Sequence, residues 1–146
     1  MSAIQTIKAI QTIKDAEFGQ ELEPFVPDSY LANTRAFAKA VKYDGNGRFD
    51  DHQKAEAQGL PGALVPGIMG MAFLTSMIHR WNPAAKVEKI DTVFRAPMMA
   101  DTPLQISAVV TDMDEDSGLV ELDLQIKNEA NETRVFGTAN VRLPLA

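Results

Sequence analysis

The chain has no cysteine and only two histidines, His52 and His79. The absence of cysteine excludes disulfide bonds and thiol nucleophiles, and so few histidines argue against a His/Cys zinc site. Acidic residues outnumber basic ones by 20 to 14, and the resulting formal net charge of −6 argues against a nucleic-acid-binding protein. We therefore expect no metal, no cofactor and no nucleic-acid partner.

The chain also lacks a long apolar run. Its most apolar stretch, from Pro66 to Trp81, has about 16 residues, fewer than the roughly 20 that a membrane-spanning helix needs. The amino terminus has no apolar core of the signal-peptide kind. We expect a cytoplasmic protein without membrane contact, and its 146 residues are enough for one domain with its own core.

The amino terminus contains a tandem repeat, because residues 3–8 and 9–14 both read AIQTIK. Two copies are too few for a repeat protein. We therefore assign residues 1–16 to an N-terminal arm and residues 17–146 to a single domain, whose first residues, 17–26, are expected to form a short edge strand.

Residues 60–81, LPGALVPGIMGMAFLTSMIHRW, predict a helix around which the rest of the chain is organised. Apolar side chains after Pro66 cover most of the helical circumference, which is typical of a buried helix with no face left for water. Pro66 suits its first turn. Gly67 and Gly70 leave that turn without side-chain bulk, so its free amides can meet a ligand oxygen; the alternative is that both glycines only permit close packing.

Two shorter helices are predicted before this segment and four strands after it. The helices cover residues 28–43 and 50–59, separated by a turn at residues 44–47. The strands cover residues 87–96, 104–111, 120–127 and 133–143, of which the last three alternate apolar and polar residues. Short connections predict an antiparallel meander, whose apolar face needs a cover. The sequence thus predicts an α+β protein, in which a curved antiparallel sheet wraps around a long central helix as in the hot-dog fold.

Several motifs, in order from about residue 18 to the end of the chain, resemble the MaoC-like hydratases and dehydratases. These proteins act on acyl thioesters of coenzyme A or acyl carrier protein within a hot-dog fold. The matching motifs include Phe94-Arg95-Ala96-Pro97, Asp101-Thr102-Pro103-Leu104 and Val141-Arg142-Leu143-Pro144.

The catalytic signature of that family is present without its histidines. The positions that match are Asp44, Asn46, Asp51, Ala55, Gly59 and Gly67. Phe49 stands in place of the catalytic histidine, and Pro66 stands in place of the histidine before the central helix. His52, three residues after Phe49, is a candidate replacement, although a surface histidine explains it as well.

The resemblance implies roles for these residues. Asp44 and Asn46 would belong to the acid–base site, although taken alone such residues are more often turn formers. The amide of Gly67 would hold the thioester oxygen, with Phe49 and Pro66 beside the substrate. Arg95 would meet a coenzyme A phosphate unless it is simply solvated.

The predicted function is therefore hydration or dehydration of an enoyl or hydroxyacyl thioester in fatty acid metabolism, with chemistry altered by the missing histidines. The expected assembly is a homodimer. Two alternatives remain open. The chain is a non-catalytic acyl-binding subunit in a heterodimer with a catalytic MaoC-like chain, or it is a hot-dog thioesterase.

Overall fold

The second half of the chain, in which polar and apolar residues alternate along most strands, forms a four-stranded sheet. The structure, a computed structural model, describes residues 12–146. It contains three α-helices, α1 (Leu31–Ala40), α2 (His52–Ala57) and α3 (Gly67–Trp81). The strands are β1 (Leu64–Val65), β2 (Lys86–Phe94), β3 (Met98–Met99), β4 (Leu104–Asp114), β5 (Leu119–Asn128) and β6 (Thr133–Arg142). No helix in this part of the chain is both long and apolar enough to cross a membrane.

The order of strands in the main sheet is β2-β6-β5-β4, and every neighbouring pair is antiparallel. The four predicted strands are confirmed, but the prediction of a simple meander is wrong for β2, which pairs with β6 instead of β4. Tight turns join β4, β5 and β6, whereas residues 95–103 between β2 and β4 are too long for a tight hairpin. They contain β3, which pairs with β1 in a separate two-stranded sheet. The chain therefore leaves one edge of the main sheet and returns at the other.

Helix α3 packs one face against the inner side of this sheet. Met69, Leu74, Met77 and Ile78 of the helix share one core with strand residues such as Ile106, Leu122, Ile126 and Val135. The opposite side of the helix carries Ile68, Ala72 and Ser76, which are exposed, and 49% of Ile68 is accessible to solvent. The prediction that no face of this helix meets water is therefore wrong for the single chain, because the sheet covers only one side.

The segment before α1 runs along the free edge of β4. The amide of Gly19 donates to the carbonyl of Val110, and that of Leu22 donates to Ala108. The predicted edge strand over residues 17–26 is present as isolated bridges at Glu21 and Phe25. This segment covers one edge of the sheet with backbone hydrogen bonds.

The predicted N-terminal arm lies mostly outside the described residues, so its division from the domain stays a prediction. The end of the second AIQTIK copy is described, and its Ile13 is 1% exposed within the main core. The amide of Ile13 donates to the carbonyl of Pro144 at 2.8 Å. These last residues of the arm therefore contact the folded domain.

Candidate functional site

The turn between α1 and α2 lies against the strand that leads into α3. Gly45 and Gly47 have φ values of 108° and 87°, in the region that favours glycine. Asp51 caps α2, as predicted, by accepting a hydrogen bond from the amide of Lys54 at 2.9 Å. The carbonyl of Arg48 accepts from the amide of Leu64 at 2.8 Å. This bond ties the turn to β1, three residues before Gly67.

Asp44 and Asn46 have different surroundings within this turn. The side-chain oxygen of Asn46 accepts from the amide of Arg48 at 2.9 Å, so it shapes the turn. Asp44 is exposed, and its carboxylate bonds no other residue among those that the structure describes. Of this pair, Asp44 is the side chain that remains free to exchange a proton with a ligand.

Phe49 is half-buried where the resemblance places a histidine. Its ring lies 6.0 Å from the ring of Tyr43, measured between centroids. The guanidinium carbon of Arg48 lies 5.9 Å from the centroid of Phe49. The position thus holds a packed hydrocarbon ring that can neither accept nor donate a proton.

The first amides of α3 are open. The carbonyl of Pro66, which is buried, accepts from the amides of Met69 and Gly70 at 3.0 and 3.2 Å. Within residues 12–146 the amides of Gly67 and Ile68 bond no acceptor. The positive end of the helix dipole adds to the attraction of this end for negative charge. This end of the helix can therefore receive an oxygen that carries negative charge.

Both glycines of this turn also have packing roles. A Cβ atom on Gly67 would lie 3.0 Å from the ring of Phe94, at the end of β2. A Cβ atom on Gly70 would lie 2.8 Å from the terminal methyl of Met98. Packing therefore accounts for Gly70, whereas Gly67 combines a packing role with an open amide.

Arg95 follows Phe94 directly and is exposed. Its backbone amide donates to the carbonyl of Arg134 at 2.9 Å, which fixes the backbone beside β6. Its guanidinium bonds no acceptor in the described part of the chain. The Arg95 side chain is thus available to an anionic ligand. It lies next to Phe94, the last residue of β2.

His52 has partners on both ring nitrogens. Its Nδ1 accepts from the amide of Ala63 at 3.0 Å, and its Nε2 lies 2.6 Å from Oδ2 of Asp101. An amide can only donate, so Nδ1 is the acceptor and Nε2 carries the hydrogen that is donated to Asp101. His52 cannot accept a proton from a substrate on Nδ1 without losing the hydrogen bond from the amide of Ala63. This geometry therefore does not favour a catalytic role.

Asp101 joins His52 to the start of α1. Its Oδ1 accepts from the amide of Leu31, the first residue of that helix, at 2.8 Å. The hydrogen bond from His52, followed by that from Leu31, lowers the pKa of the Asp101 carboxyl below its usual value. The ionised carboxylate is therefore the form that the fold stabilises.

We expect Asp101→Asn to reduce stability at neutral pH, because one amide oxygen cannot replace both carboxylate acceptors. A carboxyl whose pKa is lowered on folding contributes stability above its unfolded pKa and loses it as the pH falls through the folded value. Urea unfolding at about pH 7 and about pH 3 should show a difference between wild type and variant that shrinks in acid. Asp116→Asn, on the exposed β4–β5 turn, is the matched control. A difference that grows in acid would contradict this assignment.

Sequence reasoning missed Asp101, Ala63 and Phe94 as neighbours of the predicted site residues. Asp101 and Phe94 belong to motifs that carry the resemblance, which was the available signal. Their contacts could not be read from it, because His52 and Asp101 are 49 residues apart in the chain. Sequence spacing does not specify contacts at that separation.

A cavity of ≈ 700 Å³ lies elsewhere, on the outer face of the sheet. Its lining includes Glu21, Asp91, Asp123, Gln125, Phe136 and Thr138, and none of the predicted site residues. Within residues 12–146, no three His, Asp or Glu side chains are grouped to hold a metal ion. The site that the motifs indicate, between the 44–51 turn and the start of α3, is therefore separate from this cavity.

Solved structures of several enzymes share this arrangement of sheet and helix. The (R)-hydratase from A. caviae involved in PHA biosynthesis superposes with a TM-score of 0.81 at 22% identity, over 90% of this chain and 99% of that one. This is the fold of the MaoC-like dehydratases and R-hydratases. A MaoC-like dehydratase from Rhodospirillum rubrum gives a TM-score of 0.74 at 15% identity, over 91% of this chain and 97% of that one.

A third similar structure is an assembly of different chains. The HadBC complex from Mycobacterium tuberculosis, a 3R-hydroxyacyl-ACP dehydratase, gives a TM-score of 0.67 at 16% identity, over 85% of this chain and 96% of that one. No protein-family model and no curated protein matches the sequence. The hot-dog fold predicted from the order of helices and strands is confirmed by these structures.

Proposed function

We propose that the chain binds an acyl thioester of coenzyme A or acyl carrier protein and catalyses its hydration or dehydration with an incomplete acid–base pair. The observation that carries this proposal is the pair of amides at the start of α3, those of Gly67 and Ile68, which bond no acceptor among residues 12–146. The carboxylate of Asp44, which bonds no other residue in the described part of the chain, belongs to the turn that is bonded to the strand before this helix. Structures with the same fold include an (R)-hydratase and a hydroxyacyl dehydratase.

The amides would stabilise the charge that develops on the thioester oxygen. When water adds to an enoyl thioester, its oxygen bonds to the β carbon and the electrons of the double bond move toward the thioester oxygen. Preorganised amide donors stabilise this enolate more than the neutral substrate. Gly67, at the N-terminus of a 15-residue helix, would supply that donor.

Asp44 would move the protons. Its carboxylate takes one from the attacking water, and the α carbon must gain one to complete the addition. In the related signature a histidine shares this task, but Phe49 cannot. Loss of one such group typically costs about 100-fold to 10,000-fold in rate, so the activity of this chain should be low.

The test is turnover of crotonyl-CoA, a short enoyl thioester. We expect measurable hydration by wild type and a loss of about 100-fold in kcat for Asp44→Asn. Glu56→Gln, an exposed carboxylate on α2, is the matched control and should leave kcat unchanged. If wild type turns the substrate over rapidly and Asp44→Asn does so at the same rate, the proposed catalytic role of Asp44 is wrong. Release of free thiol without hydration would indicate a thioesterase instead.

A second function, a non-catalytic acyl-binding subunit, is favoured by the packing of Phe49 against Tyr43. The 3R-hydroxyacyl-ACP dehydratase HadBC shows that this fold occurs in a complex of different chains. This function predicts that calorimetry detects crotonyl-CoA binding without turnover, until a catalytic MaoC-like chain is co-expressed. A stable homodimer that hydrates the substrate by itself would count against it.

A further inference from the structure

We infer that Phe94 is a specificity-determining residue of the candidate site, whose ring excludes enoyl thioesters that carry a branch on the α carbon. The inference rests on the proposed function, because it takes a thioester oxygen to be bound at the amide of Gly67. It adds a contact between protein and substrate to that function. It also divides the substrates into unbranched acyl chains, which fit, and α-branched ones, which do not.

The ring of Phe94 lies against the first residue of α3. A Cβ atom on Gly67 would lie 3.0, 3.1 and 3.2 Å from three carbons of this ring. Since carbon atoms pack best at about 3.5–4.0 Å, one more carbon does not fit there unless the ring moves. The α carbon of Gly67 carries both this crowded position and the amide that bonds no acceptor among residues 12–146. A ligand oxygen on that amide therefore lies close to the ring.

The backbone that carries Phe94 is fixed by the sheet. Phe94 is the last residue of β2, where it pairs with Val135 of β6. The amides of Arg95 and Ala96, which follow it, both donate to the carbonyl of Arg134, at 2.9 and 3.2 Å. The place from which the ring reaches α3 is thus defined by hydrogen bonds on both sides of β2's last residue.

Phe94 also presents an open surface to a ligand. Although its ring packs against Gly67, 51% of the residue is accessible to solvent. Ile68, which carries the second open amide, is 49% exposed. Two half-exposed apolar side chains therefore accompany the amides that attract negative charge. A thioester suits these surroundings because its polar oxygen is joined to hydrocarbon, whereas a hydrated anion would lose water beside them.

The α carbon is the part of the substrate at which this contact can discriminate. The carbonyl carbon of a thioester is bonded to sulfur on one side and to the α carbon on the other. The sulfur carries the same unbranched chain in every thioester of coenzyme A, so only the acyl side differs between substrates. We expect the ring that leaves too little room for a methyl group on Gly67 to leave too little for one on the α carbon.

The test compares crotonyl-CoA with 2-methylcrotonyl-CoA, which has one methyl group more on the α carbon. We expect Phe94→Ala to raise the ratio of kcat/KM for the methylated substrate to that for crotonyl-CoA about 10-fold to 200-fold over wild type. The ratio within each protein removes any general loss of activity. Phe18→Ala is the matched control and should leave the ratio unchanged, because Phe18 is 74% exposed and lies beside the opposite edge of the sheet.

A second measurement tests the contact without a substrate. Gly67→Ala places a methyl group against the ring of Phe94 in wild type, but not in the Phe94→Ala background. We expect the change in urea midpoint caused by Gly67→Ala to be more favourable in that background by about 0.3 M or more. Equal changes in the two backgrounds would show that the ring does not restrict Gly67, and the inference would then be wrong.

The remaining outcomes separate this inference from the proposed function. If crotonyl-CoA is hydrated but Phe94→Ala leaves the substrate ratio unchanged, the function stands and the role of Phe94 is wrong. If neither substrate is turned over, the ratio of their Kd values from calorimetry replaces that of kcat/KM, with the same expectation for Phe94→Ala. If neither substrate binds, the inference is wrong together with the function. Should Phe94→Ala fail to fold, as judged by circular dichroism, Phe94→Leu, which also removes the ring, takes its place.

Discussion

Phe49→His is expected to raise the rate of crotonyl-CoA hydration about 100-fold to 10,000-fold over wild type. The substitution restores a proton carrier in the turn that holds Asp44, and an imidazole occupies less volume than the ring it replaces. The guanidinium of Arg48, 5.9 Å from the present ring centroid, favours the neutral imidazole that can act as a base. The measurement is kcat at saturating substrate.

Two further variants make this result specific. Phe49→Leu removes the aromatic ring without adding a base, so it should not gain activity. Asp44→Asn combined with Phe49→His should lose the gain, because both groups are needed. A folded Phe49→His protein that binds crotonyl-CoA but turns it over no faster would contradict the proposed geometry.

Leu74→Ala should lower the free energy of unfolding by about 2–5 kcal/mol. Leu74 is 0% exposed and lies on the face of α3 that contacts the sheet. Removing its side chain leaves a cavity that the strands cannot fill without breaking their pairing. Urea denaturation monitored by circular dichroism gives the value.

The matched control lies on the same helix. Ile68→Ala removes an aliphatic side chain of similar size from the exposed face, so the loss should stay below about 1 kcal/mol in dilute protein. Equal losses for the two variants would mean that both faces of α3 are buried. That result would support the prediction, made from the sequence, that no face of α3 is exposed to water.

The elements of the fold were readable because each carries a local signal. Period-two alternation specified β4, β5 and β6, and the cap at Asp51 specified the start of α2. The partner of β2 was not readable, since alternation shows which face of a strand is buried but not which strand lies beside it. The exposed side of α3 could not be predicted for a similar reason, because its Ile68 and Ala72 are as apolar as buried residues.

The candidate site could be predicted only from the motifs that resemble the MaoC-like family. These motifs placed Asp44 near the start of α3, and the bond between Arg48 and Leu64 is consistent with that placement. The pairing of His52 with Asp101 depends on how α2 meets the β3–β4 turn, which no local pattern specifies. The contact of Phe94 with Gly67 likewise depends on where β2 ends relative to α3.

The two edges of the main sheet have consequences for assembly. Among the described residues, the β4 edge is covered by the segment at Glu21 and Phe25, whereas the outer edge of β2 bonds no other strand. A chain with two open edges can add copies indefinitely, as in a fibre. A chain with one open edge can join one other sheet through it, and both edges are then used. Growth by pairing of the described edges would therefore end at two chains, whether the second is identical or different.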